Sequence, residues 1–565
     1  MLCGLRGASR RCSALLVIGL AMLASVSSLT APAAASPLRA VAVGRAVASE
    51  PGPHSPIDRR PARTKVVHRD GVVVRSVDLG DIALGSPRGR YRAPVRGVLV
   101  SPDRRASHAK LIIVNHLRYP NCAGSRFAYP CPRGHAERRF DKGMTYLGVA
   151  MAKRGFSVLI PDLGPLYIGG DLDDPYNQGT GLARSLDRLV GALERANAGK
   201  RTRWGHGLRG DIDTSRLGLL AHSRSAPLAS GLIRSWKDSA HPITTLMTYG
   251  GFYESYYHGE SGATPMVPDL PYLGVVGDQD RDTPYMAPMW LTHHVSERRK
   301  AAALVAVVPG LGHTYINRTL SRARIDDRIC DDTCRNAATH RRFLIRTATA
   351  WFNTTLRHRR TLLPLRAADP LPPTLGGLPA HWLAATNGRG RNVFLAGKRG
   401  KLRTSGAGAR ARTCFPAEPM APAHNDDCPF PERGVIQNAD EVTQVRLTPH
   451  AGVVLRVRPT RGVKLVSIHL SPSDDRADHA TGSPLQVRVV LANGRHIDRQ
   501  IPPGSTLVDR ATPSRSGVYS IGTIRLSLPR WVARQRIVAL KLTGGTTTSQ
   551  FDIRAIDLAT RVSRR

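Results

Sequence analysis

Hydrophobic positions follow two different patterns along the chain. Between residues 67 and 360, apolar runs such as AKLIIVN (109–115) and FSVLIP (156–161) alternate with segments of helical spacing such as LARSLDRLVGALERAN (182–197). Apolar runs without polar alternation are typical of strands buried on both faces, and their alternation with helices indicates a parallel sheet covered by helices. We therefore predict an α/β domain over residues 67–360, with a mostly parallel sheet and helices on both faces.

The second pattern has a period of two and begins near residue 434. LQVRVVLANGRHIDRQI (485–501) alternates apolar and polar residues on both sides of Asn493 and Gly494, a pair that favours a tight hairpin turn. Short strands at regular spacing without helices predict an antiparallel β-sandwich over residues 434–565. The stretch between the two patterns, 361–433, is rich in Pro, Gly and Arg, and we predict a linker or a disulfide-stapled subdomain there.

The N-terminus has the layout of a secretory signal peptide. Three arginines precede an apolar run from Ala14 to Leu29, and small residues suited to cleavage end at Ala35. An uncleaved membrane anchor is the alternative, but the A-x-A-like end favours cleavage. We predict a signal peptide over 1–35, a linker over 36–66 and a mature protein that is secreted or periplasmic, with no further membrane span.

The cysteines agree with export. Two of the eight lie in the predicted signal peptide, and the other six fall into close pairs. In an oxidising compartment an even number predicts disulfides, and local pairing is the simplest of several connectivities. Zinc is the alternative for CDDTC (330–334), but no neighbouring His or Cys cluster completes four ligands, so we predict no metal site. The predicted pairs are Cys122 with Cys131, Cys330 with Cys334, and Cys414 with Cys428.

The formal net charge is +40, and arginine supplies most of the positive charge. A field of this sign attracts anionic polymers of a cell envelope. The arginines are scattered evenly, however, and no basic run with interleaved aromatic residues indicates a nucleic-acid groove. The charge therefore predicts adhesion to anionic polymers, and it predicts no specific nucleic-acid partner.

Polar residues that suit nucleophilic catalysis follow three of the predicted strands. Ser223 comes after RLGLLAH, the aspartates of GDQDRD (277–282) follow the next strand but one, and His313 follows LVAVVPGLG. Ligands of open α/β sheets bind at the carboxyl ends of the strands, where these side chains would meet. A serine hydroxyl needs a base to take its proton, and that base needs an acid to hold its tautomer.

The residues around Ser223 suit a crowded strand-to-helix turn. Ala221 and Ser225 are small at the two positions where bulk would clash. A developing oxyanion needs two backbone N–H donors, which Arg224 and the loop after Asn115 can supply.

These segments resemble motifs of the α/β-hydrolase family. AHSRS (221–225) resembles its nucleophile elbow, GDQD (277–280) its acid loop and PGLGH (309–313) its histidine loop, in the family's order. The resemblance covers about residues 67–360. It implies Ser223 as nucleophile, Asp280 as acid, His313 as general base, and the backbone amides of Leu117 and Arg224 as oxyanion donors.

The sequence departs from the family pattern at three positions. NHLRYP (115–120) resembles the family's His-Gly segment, with Leu117 where Gly is usual, and Ala221 and Ser225 replace the two elbow glycines. Asp278 and Asp282 are the alternatives to Asp280. The two other histidines near the site, His116 and His222, are interpreted as structural.

The longest insertion, residues 118–141, holds the first cysteine pair and would cover the substrate pocket as a stapled loop. An open, stiffened site suits soluble esters or the chain ends of a polymer. The C-terminal run QFDIRAIDL (550–558) resembles the last strand of jelly-roll modules that bind carbohydrate. Four aromatic residues are candidates to line the pocket or the core: Tyr119, Tyr249, Phe252 and Tyr253.

Three functions are compatible with these observations. The first is a secreted serine esterase acting on carboxylic esters, including esters on a polysaccharide or other polymer. The second is a serine peptidase or amidase with the same fold. The third is a protein without turnover that binds envelope polymers or carbohydrate through its C-terminal domain. No cofactor is implied by any of them.

Overall fold

The computed structural model describes residues 61–86, 89–103, 108–168, 175–205, 208–253, 267–280, 282–283, 286–323, 334–414, 441–472, 482–506 and 521–561. The predicted signal peptide, most of the predicted linker (36–66), and the cysteines Cys330 and Cys428 lie outside these residues. Among the residues described, no helix is both long and apolar enough to cross a membrane.

The N-terminal region is built on a ten-stranded sheet with the order β1-β2-β3-β5-β4-β6-β7-β8-β9-β12. Strands β4 to β9 are parallel to one another, whereas β1, β2, β3 and β12 are joined by antiparallel pairing. The strands are β1 (Lys65–Arg69), β2 (Val72–Ser86), β3 (Gly89–Pro102), β4 (Ala109–Asn115), β5 (Ser157–Pro161), β6 (Ile212–His222), β7 (Ile243–Tyr249), β8 (Tyr272–Gly277), β9 (Ala303–Val308), the separate hairpin β10 (Thr374–Leu375) and β11 (Leu378–Pro379), and β12 (His381–Ala384).

Helices pack on both faces of this sheet because the strands carry apolar side chains on both faces. On β4, Leu111 and Ile113 join one hydrophobic cluster, and Ile112 and Val114 join the other. The helices are α1 (Phe140–Gly143), α2 (Thr145–Ala152), α3 (Pro175–Asn197), α4 (Ser225–Ser235), α5 (Met286–His294), α6 (Arg318–Arg322) and α7 (Ala337–Leu356). Helices α3 and α4 contribute to the first cluster, and α2 and α7 to the second. The strand order and the two covered faces are those of the α/β-hydrolase fold, which confirms the predicted fold class.

The C-terminal region is a sandwich of two antiparallel sheets. Within the described residues, one sheet has the order β15-β16-β23-β18-β21 with β13 also paired to β23, and the other has the order β14-β17-β22-β19-β20. The elements are β13 (Arg389–Leu395), β14 (Leu402–Ser405), β15 (Arg410–Cys414), β16 (Val442–Leu447), β17 (Gly452–Thr460), β18 (Leu465–Pro472), β19 (Leu485–Leu491), β20 (His496–Ile501), α8 (Pro503–Thr506), β21 (Gly522–Ser527), β22 (Ile537–Thr543) and β23 (Ser549–Arg561).

The sandwich encloses its own apolar core, as the two-residue period predicts. The predicted hairpin is present: β19 pairs with β20, and Gly494 at its turn has φ +80°. Both the β-sandwich and this local turn are therefore confirmed. The hairpin could be predicted because apolar and polar residues alternate over several positions on both sides of the turn.

The stretch predicted as a linker or stapled subdomain contains strands of both regions. Strand β12 pairs with β9 and becomes the edge of the large sheet, and β13 pairs with β23 of the sandwich. The two regions also touch directly, since the amide of Ala384 donates to the hydroxyl of Thr523 (2.9 Å). We propose that the first domain extends to Ala384 and that the sandwich begins near Arg389.

The first predicted disulfide is confirmed. Cys122 and Cys131 are bonded, with their Cα atoms 5.6 Å apart. Cys334 and Cys414 are also disulfide-bonded. Their predicted partners lie outside the described residues, so those two pairings stay predictions.

Candidate active site

Ser223 occupies a sharp turn between β6 and α4. Its φ angle is +58°, in the left-handed region that residues with a Cβ rarely adopt. Hydrogen bonds hold the turn: the Ser223 amide donates to the carbonyl of Tyr249 (3.0 Å), and the Ser223 carbonyl accepts from the amide of Phe252 (3.2 Å). The Ser225 hydroxyl closes the turn through the backbone of His222 (2.8 Å). The strain is maintained by its surroundings, as in a nucleophile elbow.

The Asp280 carboxylate lies against the ring of His313. His313 Nδ1 donates to Asp280 Oδ2 (2.8 Å), and each residue is only 1% exposed. Asp280 Oδ1 accepts the amides of Asp282 (3.0 Å) and Thr283 (2.8 Å), so the carboxylate is fixed in the loop after β8. When His313 is neutral, a proton on Nδ1 leaves its lone pair on Nε2, which is the tautomer a general base requires.

The other two aspartates of the loop take different positions. Asp278 Oδ1 accepts the amide of Gly310 (2.6 Å), which ties the loop after β8 to the loop after β9. Asp282 is half exposed, and its Oδ2 lies 3.3 Å from His313 Nε2. Of the three candidates, the carboxylate bonded to Nδ1 is therefore that of Asp280.

Two carboxylates determine the charge of His313. Burial alone would lower its pKa, but the negative charges of Asp280 and Asp282 outweigh burial and the opposing charge of Arg224, and they raise the pKa to about 9. Burial opposes ionisation of Asp280, yet His313 and two backbone amides keep its pKa below its usual value. In the resting site, an imidazolium thus faces an ionised carboxylate.

His222 and His116 form hydrogen bonds with backbone groups next to the site. His222 Nε2 donates to the carbonyl of His313 (3.0 Å), and burial, followed by the nearby charge of His313, holds the pKa of His222 well below its usual range. His116 Nδ1 donates to the carbonyl of Leu117 (2.8 Å), and its Nε2 accepts the amide of Leu163 (2.8 Å). These contacts agree with the structural roles predicted for both histidines.

The two predicted oxyanion donors follow β4 and precede α4. Leu117 is 1% exposed, and His116 fixes its carbonyl, which orients the loop at the end of β4. Arg224 comes directly after Ser223, and its guanidinium carbon lies 3.8 Å from the centre of the Phe252 ring. Their roles as donors stay a prediction.

Gly250 and Thr283 are site residues that the sequence analysis missed. The Thr283 hydroxyl donates to the Gly250 carbonyl (2.9 Å), and Gly250 has φ +50°. A Cβ on Gly250 would lie 2.7 Å from both Asp280 Oδ2 and His313 Nδ1. The only sequence signal was the pair of glycines that follows a strand, which does not reveal what packs against them.

Replacing Gly250 with alanine is expected to displace the Asp280–His313 pair. Because a misplacement of about 1 Å at a reacting group costs about a hundredfold, we expect kcat/KM on an ester to fall by about that factor. Steady-state hydrolysis of p-nitrophenyl butyrate measures it. Gly231→Ala on α4 is the matched control, since its new Cβ would meet no atom within 4 Å. Equal activities of the two variants would contradict the conclusion that Gly250 leaves the space that the Asp280–His313 pair needs for catalysis.

The four candidate aromatic residues divide between the core and the surface. Tyr249, Phe252 and Tyr253 are nearly fully buried, and the Tyr249 hydroxyl donates to the Gly312 carbonyl (2.8 Å) in the histidine loop. Tyr253 stacks on Trp290 with ring centres 4.3 Å apart. These three belong to the core beneath the site, which was the alternative interpretation. Tyr119 is partly exposed and packs edge-on against a buried phenylalanine of α1.

Comparisons with known proteins find similar solved structures but no matching family. No family model and no curated protein matches the sequence. A dienelactone hydrolase-like promiscuous phosphotriesterase from metagenomic libraries is similar in structure, at 12% identity and TM-score 0.29, covering 51% of this chain and 99% of its own. A bacterial heroin esterase matches at 14% identity and TM-score 0.26, covering 46% and 83%. A mutant of the carbohydrate-binding module CBM29-2 matches at 9% identity and TM-score 0.18, covering 31% and 93%.

Proposed function

We propose that this chain is a serine hydrolase that cleaves carboxylic esters through an acyl-enzyme on Ser223. One observation carries the proposal: a buried aspartate–histidine pair at the ends of β8 and β9, with Asp280 bonded to His313 Nδ1. Ser223, at the end of β6, has the backbone strain of a nucleophile elbow. This combination suits proton transfer from a serine hydroxyl.

In the proposed reaction, His313 Nε2 takes the proton of Ser223 Oγ as Oγ bonds to the ester carbonyl carbon. The negative charge that develops on the carbonyl oxygen is received by the backbone N–H groups of Leu117 and Arg224. His313 then gives its proton to the departing alkoxide, leaving an acyl group on Ser223. Water, deprotonated by the same nitrogen, releases the carboxylic acid. Asp280 stabilises the imidazolium that forms in each half-reaction.

Fluorophosphonate labelling tests the nucleophile. The reagent should modify the mature protein at one peptide containing Ser223, and His313→Ala should abolish the labelling. p-Nitrophenyl butyrate and alanine p-nitroanilide, assayed in parallel, separate an esterase from an amidase. A folded protein that neither takes the label nor turns over either substrate would favour the polymer-binding alternative.

The second carboxylate near His313 gives a prediction on pH. The base must be neutral, so with a pKa of about 9 only about one His313 in a hundred is active at pH 7. Asp282→Asn removes one of the charges that raise this pKa, so the acidic limb of the kcat/KM profile should move to lower pH. Each unit of movement should raise activity at pH 7 about tenfold.

The pH profile of p-nitrophenyl ester hydrolysis measures this effect. The exposed Asp238→Asn makes the same change in net charge away from the loop after β8 and should leave the limb in place. The interpretation of Asp282 fails if both variants keep the original profile.

We also propose export and a polymer-bound substrate. The Cys122–Cys131 disulfide supports an oxidising compartment. A β-sandwich that holds carbohydrate or an anionic envelope polymer would raise the local concentration of esters attached to it. Deleting residues 389–565 would then weaken hydrolysis of a polymeric ester more than that of a soluble ester.

A further inference from the structure

A cavity of about 340 Å³ lies between α1, α2, α6 and the end of β1, and none of the proposed catalytic residues lines it. Four of its lining side chains are cationic, and none is a carboxylate. We call it the basic pocket and define it by these four: Arg69, Lys142, Arg318 and Arg322.

The cations of the basic pocket repel one another. Burial lowers the pKa of Arg318, and the nearby charges of Arg341, Arg322 and Arg69 lower it further. Arg69 forms an ion pair with its exposed chain neighbour Asp70, with 3.8 Å between charged atoms, and such an exposed pair contributes little. Among the residues that the structure describes, positive charge is therefore gathered here with no carboxylate in the wall of the pocket.

The backbone that carries these cations is held in a fixed arrangement. Asn317 Nδ2 donates to the carbonyl of Phe140 (3.0 Å), which joins the start of α6 to α1. The two segments are so close that a Cβ on Gly143 would lie 2.0 Å from Asn317 Oδ1. The Thr319 hydroxyl donates to the carbonyl of Arg139 (2.8 Å). The backbone segments that carry Lys142 and the two arginines of α6 are therefore fixed relative to each other.

The pocket also adjoins the histidine loop. The Tyr146 hydroxyl, in the wall of the pocket, donates to the carbonyl of Ile316 (2.8 Å), three residues beyond His313. Arg318 places its guanidinium carbon 5.0 Å from the centre of the Tyr146 ring. A ligand held here would lie beside the loop that bears the proposed base.

We propose that the basic pocket is a binding site for a phosphate oxyanion. Guanidinium groups match the tetrahedral oxygens of phosphate with paired hydrogen bonds, and a volume of this size is typical of small-ligand pockets. The bound phosphate relieves the repulsion between the cations. It belongs either to a soluble phosphate ester or to a phosphodiester polymer, and the site is independent of the proposed esterase activity.

Isothermal titration calorimetry of the full mature chain tests the site. The titration is done at low ionic strength because salt screens the attraction between exposed charges and the ligand. The probes are inorganic phosphate, pyrophosphate and a long-chain polyphosphate. The test variant Arg318→Gln/Arg322→Gln should lose at least about tenfold in affinity for the probe that binds, because it removes two guanidinium groups that form charge-assisted hydrogen bonds. Lys142→Gln alone should weaken the same probe.

The matched control is Arg195→Gln/Arg234→Gln, which removes two exposed arginines from α3 and α4. It makes the same change in net charge and should keep the original affinity. Equal losses in the test and control variants would mean attraction by the net charge alone and would overturn the site, as would the absence of binding by all three probes. Tight binding of pyrophosphate supports a small phosphate ester, whereas binding of polyphosphate alone supports a polymer.

Discussion

Ser223→Ala is expected to lower kcat/KM for p-nitrophenyl butyrate by at least about 10⁴-fold, because it removes the hydroxyl that forms the proposed acyl-enzyme. The fold should not change, since alanine keeps the Cβ and the same left-handed backbone at φ +58°. We expect the free energy of unfolding to stay within about 0.5 kcal/mol of the wild-type value. Steady-state kinetics and urea unfolding measure the two quantities.

Ser235→Ala is the matched control for this experiment. Ser235 lies at the last turn of the helix that Ser223 precedes, and its hydroxyl donates only to the Leu232 carbonyl (3.0 Å). This variant should keep full activity. A Ser223→Ala protein with more than a tenth of the original activity would exclude the acyl-enzyme mechanism on this residue.

The approximate position of the site was predictable because parallel strands align their carboxyl ends. Ser223, Asp280 and His313 each follow an apolar run, and β6, β8 and β9 share one sheet with only β7 between the first two. Chain order and strand pattern were therefore enough to place the three residues at the carboxyl ends of strands of one sheet. The fold class was predictable for the same reason, since the apolar runs are long and regular.

The residue pattern alone did not choose among the three aspartates, and only the resemblance to the α/β-hydrolase acid loop favoured Asp280. Asp278, Asp280 and Asp282 alternate within one short loop, and their sequence contexts are alike. What distinguishes them is the path of the loop, which directs one carboxylate to Gly310, one to Nδ1 and one toward Nε2 of His313. Such directions depend on contacts with the next loop, which a local pattern does not encode.

The strands between the two domains were missed for a related reason. Strand β12 has four residues and gains its stability from pairing with β9, more than seventy positions earlier in the chain. Strand β13 is held in the same way by the last strand of the chain. Strand β12 is too short to show a recognisable alternation, and the Pro- and Gly-rich composition around both strands outweighed their pattern in the sequence analysis.

Asp280→Asn is expected to lower kcat/KM by about 10³–10⁴-fold, close to the loss of the nucleophile. Asp280 Oδ2 accepts the Nδ1 proton of His313, whereas an asparagine amide placed there can donate. The imidazole would then carry its proton on Nε2, where it cannot receive the Ser223 proton. Loss of the carboxylate charge also lowers the pKa of His313, so the acidic limb of the remaining activity should move to lower pH.

Asp278→Asn distinguishes a catalytic effect from a general disturbance of the loop. Its side-chain oxygen accepts a hydrogen bond from the Gly310 amide, and the amide oxygen of asparagine can accept the same bond. We expect this variant to stay within about threefold of wild-type activity, as for a neutral exchange that keeps a hydrogen bond. If Asp278→Asn is the more damaging of the two, the acid is Asp278 and the Asp280–His313 contact is structural. If both variants keep their activity, neither carboxylate orients His313, and the base must act without a buried acid.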